Sequence, residues 1–72
     1  MSVLATWRAF YGTAERSGGP CALSVARAKA RAAFPYEGAI IALVFVVGGD
    51  ARCFRRDARG RWRPLDEVTR VT

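Results

Sequence analysis

The sequence predicts a two-layer α+β fold, in which an N-terminal helical hairpin packs on a three-stranded antiparallel β-meander. Before Pro35 the apolar residues recur at helical spacing, whereas after Gly38 a continuous β-branched run is followed by turn signals. The 72 residues, of which 51% are hydrophobic, indicate one small folded domain spanning residues 1–72. Such a domain buries only about 60% of the surface that its unfolded chain exposes, so oligomerisation would add to its stability.

A first helix is predicted over residues 3–16. Leu4 and Trp7 recur at helical spacing with later apolar residues, and Ser2 can cap the N-terminus. The two glycines that follow Ser17 would end this helix, because glycine accepts the left-handed conformation found at helix C-termini. We expect the aromatic residues of the segment to belong to the core: Trp7, Phe10 and Tyr11.

A second helix is predicted over residues 20–34, between Pro20 in its first turn and Pro35 beyond its end. Its small and apolar residues share one face, which could pack closely against a neighbour. Its cations carry three positive charges with no acid among them: Arg27, Lys29 and Arg31. They are either the solvated face of an alanine-rich helix or an extension of a basic surface elsewhere on the domain.

Three strands are predicted after Gly38, over residues 39–47, 51–56 and 61–65. The first is apolar throughout, which is typical of a strand covered on both faces. Gly48 and Gly49 indicate a tight turn between the first two strands. Asp57-Ala58-Arg59-Gly60 predicts a type I turn closed by a left-handed glycine, and Pro64 indicates that the third strand lies at an edge.

In a simple meander of these strands, the apolar segment 39–47 would lie at an edge of the sheet. Such an edge is prone to aggregation and needs cover. Three arrangements would supply it: the helices pack over the edge, the C-terminal segment 68–71 pairs with it, or a second copy of the chain pairs with it. The last arrangement predicts a homodimer formed through strand 39–47.

The turn at Asp57 fixes the register of the hairpin that it joins. If Asp57 faces Arg61, then Arg56 faces Trp62 and Phe54 faces Pro64. One face then carries Phe54 and Trp62 together with Arg52 and Arg56. The opposite face is expected to turn small apolar residues toward the core and the remaining arginines toward the tip: Ala51, Cys53 and Leu65, then Arg55, Arg61 and Arg63.

Positive charge concentrates in this hairpin. The formal net charge is +6, and residues 51–63 alone carry +5. Every basic residue except Lys29 is an arginine, which follows either from a GC-rich genome or from a role of the guanidinium groups. The residues that we predict to contact nucleic acid or another partner are Arg52, Phe54, Arg55, Arg56, Arg59, Arg61, Trp62 and Arg63, extended by Arg27, Lys29 and Arg31.

A purely structural role for the same residues is the alternative to binding. Trp62 could pack on the helices with Arg56 stacked on its ring, and the other arginines would keep the edge solvated. Arg55 opposite Arg63 favours binding, because like charges that face each other across a hairpin are destabilising unless an anion joins them.

The chain lacks the residues of several common chemistries. It contains no histidine, asparagine or glutamine, which excludes histidine-based nucleophilic catalysis, mixed Cys/His zinc sites and the bidentate amide contact to adenine. An enzyme would need Cys21, Cys53 or a carboxylate to act alone, so we predict that the chain is not an enzyme and uses neither metal nor cofactor. The N-terminus lacks a signal peptide pattern and residues 39–47 are too few to span a bilayer, so a cytoplasmic protein with reduced cysteines and no membrane contact is expected.

The leading functional hypothesis is a non-enzymatic module that presents the arginine-aromatic hairpin to nucleic acid, mainly through phosphate contacts. The alternative is a protein-interaction module that binds an acidic surface. In that form it could be an inhibitor from a phage or mobile element that blocks a nucleic-acid-binding partner complex.

Overall fold

The computed structural model describes residues 3–65, which form five strands and one helix. In chain order these elements are β1 (Leu4–Tyr11), β2 (Ala14–Ala22), α1 (Leu23–Ala33), β3 (Ile40–Phe45), β4 (Ala51–Arg56) and β5 (Trp62–Pro64). The strands make one sheet in the order β2-β1-β3-β4-β5, and every neighbouring pair is antiparallel. The helix packs on one face, over β1 and β2 and the near side of β3.

The predicted N-terminal helical hairpin on a three-stranded meander is therefore wrong. Residues 3–16 contribute strands, and the sheet has five strands rather than three. The second predicted helix exists but begins at Leu23, because the segment before it belongs to β2. The strand predicted over 51–56 has the bounds of β4, whereas β3 and β5 are each shorter than predicted.

The first two strands form a hairpin because their side chains alternate with a period of two. Ala5 and Ala9 point to the helix side and are completely buried, whereas the exposed Arg8 points to the other face. The turn consists of Gly12 and Thr13. Gly12 has φ +61°, and within residues 3–65 no residue other than glycine has a positive φ, so the turn has the type II′ pattern of two-residue hairpins.

The core lies between α1 and the sheet. Ala26 and Ala30 of the helix are fully buried, and their small side chains let the helix approach the alanines of β1 closely. The largest fully buried side chains, Ile41 and Leu43, come from β3. Burial of these apolar side chains is the main source of stability for the domain.

The position of β3 answers the question of how the apolar strand is covered. Its Ile40–Phe45 segment pairs with β1 on one side and with β4 on the other, so it is the central strand of the sheet. Both hydrogen-bonding edges of β3 are occupied within the chain, so this strand has no free edge for the pairing that the predicted homodimer would use. The predicted pairing of segment 68–71 falls outside the described residues.

A bulge in β2 sets the packing at the edge of the sheet. The pairing shifts by one residue between Ala5↔Cys21 and Trp7↔Gly18. The indole of Trp7 lies directly over Gly18, where an added Cβ would be 2.8 Å from the indole Nε1. Gly18 is therefore needed for close packing, and the sequence pattern that suggested a helix end marks this contact instead.

Candidate nucleic-acid interface

The β4–β5 hairpin has the register predicted from its turn. Arg56 pairs with Trp62, Arg55 with Arg63 and Phe54 with Pro64. At the tip, the N–H of Asp57 donates to the carbonyl of Arg61 at 2.8 Å. The N–H of Gly60 donates to the carbonyl of Asp57, and Gly60 has φ +84°, as the left-handed position of this loop requires.

Asp57 organises this loop through both carboxylate oxygens. Oδ1 accepts hydrogen bonds from the backbone N–H groups of Arg59 and Arg61, each at 2.9 Å. Oδ2 accepts one from Nε of Arg63, also at 2.9 Å. These donors, the N–H of Arg61 first, lower the pKa of Asp57 below its ordinary value of 3.8. Asp57, the single acidic residue of segment 51–63, thus stabilises the turn through all three of these hydrogen bonds.

The arginines of the hairpin project from both faces of the ribbon. The register places Arg52 and Arg56 on the helix side of the sheet, and Arg55 and Arg63 on the opposite side. All the hairpin arginines are exposed except Arg56, which is half-buried. The guanidinium of Arg52 lies 5.9 Å from the ring centroid of Phe45, so a cation–π contact holds it against the sheet.

The orientation of the hairpin is the reverse of the predicted one. Phe54 pairs with the buried Ile41, so the face of Phe54 and Trp62 is the face that meets the core. Both rings are half-buried and pack against the core cluster. The small residues predicted to face the core lie on the opposite side of the sheet, away from the helix: Ala51, Cys53 and Leu65. Phe54 and Trp62 therefore contribute to the packing of the core, which favours the structural alternative for these two rings.

A shallow depression lies at the tip of the hairpin, with a volume of about 210 Å³. It is lined by Arg55, Arg56 and Arg63, together with Asp57 and Leu65. Arg63 is oriented by its bond to Asp57, whereas no ion pair involves Arg55 or Arg56 within residues 3–65. Asp57 already offsets part of the repulsion between Arg63 and the facing Arg55. An anion bound here would offset the remainder, because arginine binds phosphate through several N–H donors at once.

The cations of the helix lie apart from the hairpin. Arg27, Lys29 and Arg31 are all exposed, but α1 packs over β1 and β2 at the other side of the sheet. Arg27 and Arg31 are one turn apart on one flank, and Lys29 lies on the opposite flank. The predicted site residues therefore do not form one surface patch. The cations of the helix are separate from those of the hairpin, and the hairpin has the higher density of positive charge.

An aromatic stack that the sequence analysis missed lies at the same end of the sheet as the hairpin tip. Tyr11, expected in the core, is 42% exposed and its ring stacks on Phe34 with centroids 6.2 Å apart. Tyr36 is 52% exposed and lies 5.0 Å from Tyr11, centroid to centroid. The guanidinium of Arg16 also contacts this group of rings, at 5.7 Å from the Phe34 centroid. The available signal was an aromatic residue inside a polar loop, Pro35-Tyr36-Glu37.

The two cysteines lie in the part of the chain that the structure describes, and there they belong to no cluster of potential metal ligands. No group of three potential metal ligands is present within residues 3–65. Cys21 and Cys53 are free and half-buried. They lie on opposite faces of the sheet, since Cys21 pairs with the buried Ala5 and Cys53 with Ala42, and this arrangement keeps the two thiols apart.

No family model matches this chain, and neither the curated proteins nor the solved structures contain a match to it. In residues 3–65, no helix is long and apolar enough to cross a membrane. The function has to be inferred from the chemistry of the surface itself.

Proposed function

We propose that this chain is a small non-enzymatic module that binds nucleic acid, mainly through phosphate contacts made by the β4–β5 hairpin. One observation carries this proposal: five arginines of one hairpin are exposed, and its only carboxylate holds the turn and pairs with just one of them, Arg63. These arginines are Arg52, Arg55, Arg59, Arg61 and Arg63. Such a density of exposed positive charge suits a polyanion, because each phosphate contact releases condensed counterions.

The shape of the hairpin supports contact with a phosphate backbone. The hairpin forms the β5 edge of the sheet and carries cations on both faces and at its tip, where they can contact the phosphates of a strand that lies along this edge. The chain has no asparagine or glutamine, so the bidentate amide contact to adenine is absent, and base readout by this hairpin would rest on contacts such as that of arginine with guanine.

A protein partner with an acidic surface is the second candidate, and the open face of the sheet favours it. Phe10, Ile40 and Val44 lie on the side opposite α1, and each is only half-buried. Apolar side chains of this kind beside the exposed Arg8 and Arg55 suit an interface with another protein. This form of the module would act by covering an acidic surface or a nucleic-acid channel of its partner.

We also propose that the chain acts in a reducing compartment such as the cytoplasm. Two free cysteines that the fold holds apart are consistent with this location. Mass spectrometry of the protein from its native cells should find both thiols reduced, and an intermolecular disulfide would contradict the proposal.

The test is fluorescence anisotropy of labelled single-stranded and duplex oligonucleotides over a salt series. If about four phosphates are engaged, the plot of log affinity against log salt concentration should have a slope of about −3 to −4. The double variant Arg59→Glu/Arg61→Glu should weaken binding and flatten the slope, because both side chains are exposed at the tip. Lys29→Glu is the matched control, since it reverses an exposed charge on the opposite side of the domain.

The outcomes separate the candidates. Loss of binding in the hairpin variant with near-normal binding by Lys29→Glu supports the hairpin as the site. Equal loss per charge in both variants would show non-specific attraction by net charge. No binding at low salt would refute the nucleic-acid proposal, and a nuclease-resistant complex with an acidic protein would then support the second candidate.

A further inference from the structure

Tyr11 and Tyr36, at the end of the sheet near the hairpin tip, are exposed and lie outside the core cluster. Tyr36 is 52% exposed and Tyr11 is 42% exposed, although aromatic rings of this size usually bury most of their surface. The rings contact each other at a centroid distance of 5.0 Å with an interplanar angle of 44°. They therefore present a connected aromatic surface to the solvent.

The stack beneath this surface is held in place. Tyr11 is anchored in β1 and stacks on Phe34, which is 9% exposed. The guanidinium of Arg16 also contacts the Phe34 ring. The backbone of Tyr36 is fixed at both groups, since its N–H donates to the carbonyl of Phe34 at 2.8 Å and its carbonyl accepts from the N–H of Ala39 at 3.1 Å. A platform that is ordered beforehand loses little conformational entropy when it binds.

This platform adjoins the arginine hairpin. The N–H of Gly38 donates to the carbonyl of Arg56 at 2.9 Å, which ties the Tyr36 loop to the end of β4. The guanidinium of Arg55 lies beside the same loop, with Nη2 4.0 Å from the position of a Cβ at Gly38. The tyrosine rings and the guanidinium of Arg55 therefore lie at the same end of the domain, with Arg55 on the sheet face opposite Tyr11.

We propose that Tyr11 and Tyr36 form a stacking platform for an unpaired base, and that the preferred ligand is consequently a single-stranded nucleic acid. The phosphate next to the stacked base would contact Arg55 and the neighbouring arginine side chains at the hairpin tip. Bases in a duplex are already stacked on each other, whereas those of a single strand are free to stack on an aromatic side chain. This inference rests on the proposed function, and it specifies the ligand class of the same surface.

The experiment compares a short single-stranded oligonucleotide with an abasic strand of the same length and phosphate count. Wild-type protein should bind the base-bearing strand at least about fivefold more tightly, since stacking of one base on an aromatic side chain has an effect of that size or larger. Tyr36→Leu should remove this difference while leaving the salt slope unchanged. Tyr36→Phe should keep the difference, because the ring remains.

Two controls make the comparison specific. Val47→Ala alters a side chain that is 89% exposed but lies beyond the opposite end of β3, so it should leave the preference for bases intact. Glu37→Gln removes the carboxylate beside Tyr36 and should strengthen the binding of both strands equally. Circular dichroism verifies the fold of each variant.

The possible failures are distinguishable. Equal affinity of wild-type protein for the two strands, with a salt slope that still depends on Arg59 and Arg61, would overturn the platform and leave the proposed function standing. Binding neither to these strands nor to duplex DNA would overturn the proposed function itself. A preference for duplex DNA over the base-bearing strand would also overturn the platform.

Discussion

The contact between Trp7 and Gly18 allows a substitution that tests the packing of the sheet edge. In Gly18→Ala, the new Cβ would lie 2.8 Å from the indole Nε1, and 3.0 Å from both Cε2 and Cζ2. These distances are well inside van der Waals contact, so the indole or the strand has to move. The indole is packed against the core cluster, which limits its freedom to shift.

The expected cost follows from overpacking. Forcing a methyl group into a filled site destabilises a protein by about 1–3 kcal/mol. For a domain of this size, each kcal/mol lowers the melting temperature by roughly 4–8 °C. In an open strand the same substitution would be favourable by about 0.5–1 kcal/mol, because alanine loses less backbone entropy than glycine on folding. Whether Gly18→Ala lowers or raises the free energy of unfolding therefore depends on the Trp7 indole.

A double-mutant cycle separates the two contributions. Trp7→Leu removes the ring and destabilises the protein, but in this background Gly18→Ala should become neutral or stabilising. Urea unfolding followed by circular dichroism gives the four free energies of unfolding. If Gly18→Ala proved as stable as the wild-type protein, or equally destabilising in both backgrounds, the packing of Trp7 over Gly18 would be refuted.

Three further predictions follow from the turn and the core. Gly60→Ala should destabilise the protein by about 1–2 kcal/mol in urea unfolding, because φ is +84° and the added Cβ would lie 3.1 Å from Nη2 of Arg56; an unchanged midpoint would contradict the loop geometry. The wild-type protein should lose stability as the pH falls below 3.8 through the lowered folded-state pKa of Asp57, since the ionised carboxylate is the form bonded in the turn. Asp57→Asn should have a flatter dependence of urea midpoint on pH in this range, and a curve as steep as that of the wild type would argue against the assignment. Ile41→Ala should cost about 2–5 kcal/mol, because Ile41 is 1% exposed in the central strand; retention of a wild-type melting temperature would place the core elsewhere.

The second half of the fold could be predicted because its signals are local. The sequence Asp57-Ala58-Arg59-Gly60 requires one turn type, and this turn determines the pairing of every residue in β4 and β5. The run from Ile40 to Phe45 is too rich in β-branched and aromatic residues for another assignment, although its central place in the sheet depends on β1. The turn at Asp57 fixes the register between β4 and β5, but it does not determine which strand pairs with the other edge of β3.

The first half was mispredicted because two periodicities coincide in a short segment. Leu4, Trp7 and Tyr11 fit a helical spacing, while Ala5, Trp7 and Ala9 fit the alternation of a strand. Ala5 and Ala9 distinguish the strand from the helix, because both are completely buried on one face of the sheet. Alanine is only weakly hydrophobic, so the two residues do not stand out in an apolar pattern. Gly12 was the other signal, because a glycine within a helical pattern that can also begin a two-residue turn favours the hairpin.

The same coincidence explains why the candidate site was only partly found. Its cations were visible in the sequence, because arginines concentrated in one segment stay together whichever face they occupy. Its aromatic part depends on which end of the sheet Tyr11 and Tyr36 share, and β1 had to be recognised as a strand that runs toward the Tyr36 loop. Phe54 and Trp62 were assigned to binding instead, since register shows which side chains share a face but not which face the helix covers. The exposed rings, Tyr11 and Tyr36, are therefore those whose position depends on long-range pairing, whereas Phe54 and Trp62, which local sequence singles out, pack against the core.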